Sequence, residues 1–169
     1  MKQNFFLYYI LLVIAQVLIC EWFNLSAYVM LSILPALVLC IPTKFSTTIS
    51  LLIAFATGFA VDFLAEGVVG LNILALVPVA AAREHVIRFI FGEEPLVRED
   101  NFSIKKYGIG KVIFSVFIVQ AIFLLVYIIA DGAGARPFIF NFLRFVCSLL
   151  AGAFLSVFMV DILTSEDRR

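Results

Sequence analysis

Hydrophobic side chains in this chain come in long unbroken runs, not in strict alternation, and short polar breaks separate six of them. A hydrocarbon core about 30 Å thick takes roughly 20 residues of α-helix, so runs of this length predict membrane-crossing helices. Barrel strands of roughly ten alternating residues do not fit. The expected helices cover residues 4–20, 26–42, 46–65, 68–91, 109–130 and 138–163, in a single transmembrane domain over 1–169 with one sizeable loop at 92–106. The fold class is therefore all-α, a polytopic membrane protein with a six-helix bundle. Turn chemistry marks the breaks: Asn24-Leu25-Ser26, Pro42-Thr43, Gly67 with Gly70, and Asp131-Gly132-Ala133-Gly134. Ser46, Thr47 and Ser103 are candidate N-caps.

Composition agrees. Hydrophobic residues make up 64% and charged ones 14%, and mean hydropathy is +1.13. A soluble domain of this size leaves too much surface wet to hide so many apolar side chains. Twelve basic residues against twelve acidic ones leave no net charge, which gives no basic surface for nucleic acid. Cys20, Cys40 and Cys147 all fall inside apolar runs and read as small core hydrophobes, not as a disulfide or metal set. Lys2 followed by apolar residues has the order of a signal peptide, but no small-x-small cleavage site follows, so the segment is expected to stay as a first helix.

Basic residues set the expected orientation. With the N-terminus inside, ten lie at inner ends (Lys2, Lys44, Arg83, Arg88, Arg98, Lys105, Lys106, Lys111, Arg168 and Arg169) and two, Arg136 and Arg144, lie outside. That bias places both termini in the cytoplasm. Trp22, Tyr28 and Tyr127 then fall near the outer interface and Tyr107 near the inner one. Helix 4 strains the pattern, because Leu71 to Ala82 is too short to span; Arg83 is expected to reach the headgroups by its long stem. Glu84 and Arg88 form an i,i+4 pair beyond it, on a helix end that emerges along the inner interface beside His85. No inverted repeat of matching breaks joins the two halves.

Ionisable groups inside a membrane are costly and mark candidate sites. Asp62 and Glu66 end helix 3, Arg144 lies about two turns into helix 6, and Asp161 near its inner end reads as solvated surface. Gln16 and Gln120 are expected to bond between helices, and Asn72 to cap helix 4. Small residues at spacing four, Ala54-Gly58-Asp62 in helix 3 and Ser148-Gly152-Ser156 after Arg144 in helix 6, allow close backbone contact within the bundle. Matched depths suggest a contact between helices 3 and 6 with Asp62 paired to Arg144. The alternatives are that each group reaches water separately, or that Asp62 caps the Gly67–Gly70 turn. A single histidine excludes a multi-histidine metal site, and no nucleophile, zinc or phosphate-loop motif appears. An Asp62/Glu66 acid–base pair is the one conceivable catalytic arrangement, and the structural reading outweighs it. No enzyme activity, metal or cofactor is expected.

The stretch Gly58-Phe59-Ala60-Val61-Asp62-Phe63-Leu64-Ala65-Glu66-Gly67-Val68-Val69-Gly70-Leu71-Asn72 resembles the MreD family of bacterial rod-shape-determining proteins. That family has a Gly-x-x-x-Asp helix end and then a Gly-rich turn into the next helix. Size, number of spans and the placement of the charged loop agree along the whole chain; specific residues agree over about fifteen positions. The resemblance implies a non-enzymatic subunit of the cell-elongation complex in the bacterial cytoplasmic membrane. It implies as partners MreC, the actin-like MreB, a RodA-type glycosyltransferase, a class B penicillin-binding transpeptidase, and membrane lipid. Carried across residue by residue, the motif names Gly58, Asp62, Gly67 and Gly70; Arg144 comes from the reading of the chain itself. The family fold is similar to the substrate-binding subunits of energy-coupling-factor vitamin transporters, which makes a small-solute binding subunit the alternative function. Those subunits often carry an Ala-x-x-x-Ala stripe in helix 1, and Ala15 here has no such mate.

Overall fold

The computed structural model describes residues 5–22, 29–93, 107–132 and 136–165, and these are mostly helical with no strand among them. In chain order the helices are α1 (Phe5–Trp22), α2 (Leu34–Leu39), α3 (Thr47–Val61), α4 (Leu71–Phe91), α5 (Ile109–Gly132) and α6 (Phe138–Ser165); α3 runs on as a π-helical turn over Asp62–Glu66. The turn at 24–26, Tyr28, Ser103, nearly all of the 92–106 loop and both chain ends lie outside the described residues, as do the side chains of Trp22, Glu66 and Asp161.

Among the described residues three helical segments are long and apolar enough to cross a membrane: Thr47–Ala65, Ile109–Gly132 and Phe138–Val160. A shorter apolar helix covers Phe5–Glu21. Leu7, Ile10, Leu11, Ile14 and Leu18 lie on one exposed face of α1, and α3, α5 and α6 also carry large exposed apolar side chains such as Phe55, Ile129 and Phe154. Apolar faces this extensive need lipid, or another protein, as their solvent.

α4 is the hub. It packs most extensively on α5 and α3, and α5 packs in turn on α6. Val79, Ala80, Val86 and Ile87 are buried there, while His85 and Phe89 are exposed. The second half of α4 is thus a wall of the bundle with one open side, and not wholly an interfacial appendage. Arg83, Glu84 and Arg88 all fall within this half.

The expected second helix, 26–42, is the largest correction. Only Leu34–Leu39 is helical, a six-residue piece with every residue buried, and residues 29–33 are non-helical. Pro35 is the cause. It has no N–H to offer the Leu31 carbonyl, and its ring clashes with that group in a continuous helix, so the helix begins around the proline. Helix 4 starts at Leu71, not 68, because Gly67 and Gly70 hold the turn before it at φ 66° and 119°.

Candidate functional site

Two polar assemblies are built into the apolar bundle, and both complete broken helix ends. The first lies at the α3–α4 turn. In the π turn the Gly67 N–H bonds to the Asp62 carbonyl at 3.0 Å, five residues back. The fully buried Asp62 carboxylate faces the start of α4. Its Oδ2 accepts from the Gly70 N–H at 2.7 Å and from Ile73 N–H at 3.4 Å; its Oδ1 accepts from Asn72 N–H at 3.0 Å and Asn72 Nδ2 at 2.9 Å. Asp62 thereby supplies the N-cap that Gly70 cannot, and its negative charge sits at the positive end of the α4 dipole. Of the alternatives for Asp62, capping the Gly67–Gly70 turn is the one found. Asn72 does not cap the helix itself; it reaches back to Asp62.

Gly58 completes this unit one turn earlier. A Cβ there would lie 2.8 Å from both Cα and N of Ile73, so α3 and α4 touch backbone to backbone. The small-residue stripe in α3 therefore serves α4, not α6. Gly67 and Gly70 have open space around them and are needed for their positive φ instead.

The second assembly surrounds residues 29–33. Irregular backbone buried in an apolar bundle persists only where protein satisfies its polar groups, and the groups here are met by side chains from three helices. Gln16 of α1 donates to the Leu31 carbonyl at 3.0 Å and accepts from the Ile33 N–H at 2.8 Å. Gln120 of α5 donates to the Ser32 carbonyl at 3.1 Å. The Ser148 hydroxyl of α6 accepts from the Met30 N–H at 2.8 Å. The carbonyl that Pro35 leaves unclaimed is thus the one Gln16 takes. A Cβ on Gly152 would collide with the Gln120 Nε2, which explains the small residue one turn from Ser148.

Arg83 finishes the same segment at its other end. It is 4% exposed and donates from Nε to the Leu39 carbonyl at 3.2 Å and from Nη2 to the Ile41 carbonyl. The Leu39 carbonyl ends a short helix and the Ile41 carbonyl lies just beyond it, before Pro42; a cation is favoured at a helix C-terminus. The expectation that Arg83 reaches headgroups is overturned: its stem turns inward, and its guanidinium bonds to those two carbonyls.

Arg144 is not near this chemistry. It pairs with Asp131, whose Oδ2 also takes Arg136 Nη1 at 2.8 Å, at the α5–α6 connection. The expected contact of helices 3 and 6 through Asp62 and Arg144 is therefore replaced by two separate solutions, a cap for the carboxylate and a nearer acid for the guanidinium. The structure brings Gly58, Asp62, Gly67 and Gly70 into one turn and leaves Arg144 in another place. Gln16 and Gln120 bond between elements as expected, and their target, the Pro35 break, was written in the sequence as a proline in mid-run. Asp131 as the partner of Arg144 was overlooked; its place five residues before Arg136 in a polar break was the available signal.

Among the described residues no three His, Cys, Asp or Glu side chains come together to hold a metal ion. None of the cysteines is bridged. What the fold and these sites define is a helical membrane protein in which Asp62, Gln16, Gln120, Ser148 and Arg83 serve broken or ending helices. Comparison with family models, with curated proteins and with solved structures gives no match.

Proposed function

We propose that this protein is a non-enzymatic scaffold subunit of the bacterial cell-elongation complex, of the MreD kind. It lies in the cytoplasmic membrane with six crossings and both termini inside. The observation that carries the reading is the α3–α4 turn. The residues of the MreD-like pattern, Gly58, Asp62, Gly67 and Gly70, each have a distinct mechanical duty in that one turn. A motif whose members depend on each other in this way is one that proteins sharing the fold would share. Asp62, Gln16, Gln120 and Ser148 support a scaffold too, since their buried polar groups bond to the bundle's own backbone.

Six crossings are compatible with the broken second segment. Five non-helical residues reach at most about 16 Å, and six helical ones add about 9 Å. Together they come near the thickness of the hydrocarbon core. In this arrangement MreC, MreB, a RodA-type glycosyltransferase and a class B transpeptidase are the partners, and the exposed apolar faces of α1 and α6 are the surfaces on which spanning helices can dock.

The broken helix favours a second reading, a small-solute binding subunit, because interrupted helices at the bilayer midplane are how many transporters build their sites. One experiment separates the two. Tagged protein is isolated from its own membranes in a mild detergent and its companions are identified by mass spectrometry. An MreC-type protein and wall synthases are expected. Recovery of an ATPase with a coupling subunit instead would replace the scaffold by the transporter.

A further inference from the structure

At the end of the bundle that carries Lys44, Arg83 and Arg88, a cavity of about 280 Å³ opens between the start of α3 and the second half of α4. Its walls include Ser46, Thr47, Ser50, Arg83 and Glu84, polar side chains beside the apolar Phe45 and Ala80. Three features point to an occupant. The α3 N-terminus, a fifteen-residue helix capped by Ser46, opens here and presents its positive dipole end. The Ser50 side chain lines the cavity at 1% exposure, and its hydroxyl has no hydrogen-bond partner. Buried hydroxyls are rarely left so. The charges on the walls are of both signs: Arg83 spends two donors on α2 carbonyls and still lines the cavity, while Glu84 accepts from Thr47 Oγ1 at 2.6 Å and from Arg88 at 3.2 Å.

A plain anion would meet the Glu84 carboxylate, and a plain cation would meet Arg83 and the helix end. A ligand with both charges satisfies both. We propose that this cavity binds an aminoalkyl phosphate. Its phosphate lies on the α3 N-terminus, Ser50 and Arg83, and its ammonium lies on Glu84, with phosphatidylethanolamine of the surrounding leaflet as the source. This rests on the membrane placement of the bundle and not on its role in cell elongation.

The test uses intact protein purified in mild detergent. Native mass spectrometry measures retention of phosphatidylethanolamine against phosphatidylglycerol at equal mole fraction. Thermal melting measures the effect of soluble phosphoethanolamine against inorganic phosphate. Retention should favour the ethanolamine lipid about fivefold, the factor that ~1 kcal/mol supplies. Ser50→Leu, which puts an apolar branched side chain where the phosphate would lie, should abolish retention of both lipids there. Glu84→Gln should keep retention but remove the preference; its carboxylate is partly exposed, so the variant is expected to fold even if Ser50→Leu does not. Stabilisation by phosphoethanolamine with no lipid retained would assign the same site to a soluble ester. Equal retention of the two lipids by the parent protein, with no response to phosphoethanolamine, overturns the proposal, as does an ethanolamine preference that survives Glu84→Gln.

Discussion

Gln16 holds Ile33 across two elements, its side-chain oxygen accepting the Ile33 N–H at 2.8 Å while its amide nitrogen serves Leu31 two residues earlier. One side chain thus satisfies a donor and an acceptor of a backbone that a proline has taken out of the helical pattern. Gln16→Leu keeps the size and abandons both groups. Each buried orphan costs about 1–3 kcal/mol, so the melting midpoint in detergent should fall steeply. Gln120→Leu, which abandons one carbonyl, should fall by less.

Pro35 is the reason the clamp is needed, and a double change can show it. In Pro35→Ala an N–H becomes available to the Leu31 carbonyl. Pro35→Ala combined with Gln16→Leu should therefore melt higher than Gln16→Leu alone. A double variant that is as unstable as the sum of the singles would mean that the break has another origin.

Gly58 and Gly67 should respond differently to alanine. At Gly58 the new methyl meets the Ile73 backbone at 2.8 Å, and the helices must part, at a cost of about 1–3 kcal/mol. At Gly67 there is space, and only the left-handed φ is strained, at about 1 kcal/mol. Unfolding of the two variants under the same denaturant series ranks them, with Gly58→Ala the weaker protein.

Double-mutant cycles distinguish the two places where Arg144 was expected and found. Asp131 with Arg144, partly buried, should show a coupling of about 1 kcal/mol in unfolding free energy. Asp62 with Arg144 should couple within about 0.3–0.5 kcal/mol of zero. Asp62→Ala alone should still be damaging, by about 2 kcal/mol or more, because α4 loses its cap.

Single cysteines at Asn24, Asn101 and Ala133, in a background without the native three, test the orientation. A membrane-impermeant reagent applied to intact cells should label positions 24 and 133 and spare 101. Labelling at 101 would reverse the arrangement.

The helices that fill the outside of the bundle were legible because their only requirement is a long apolar run between Gly or Pro breaks. Their ends fall within a few residues of expectation: 109–130 against Ile109–Gly132, and 138–163 against Phe138–Ser165. Residues 26–42 were not legible in the same way. Their apolar run is as good as any, but the stability of the break depends on Gln16, Gln120 and Ser148, which are far away in sequence. Arg83 failed for a related reason. Its long stem permits an outward or an inward path, and only the position of the α2 carbonyls decides. At Asp62 the sequence offered the right solution among three, since a carboxylate ahead of a glycine turn can cap locally without any distant partner.

The order of synthesis gives the second segment an awkward history. Met30 waits for Ser148, 118 residues later, and Ser32 for Gln120, 88 residues later. At about 5–20 residues per second the unwound stretch is made roughly ten seconds before its last partner emerges. Until Gln120 emerges its backbone has Gln16 alone from among these partners, and no stable place in lipid. It must either stay in water at the membrane face or be sheltered by the insertion machinery. A ribosome stalled before α6 should therefore leave α1 and α3 embedded while the residues between them remain open to proteolysis.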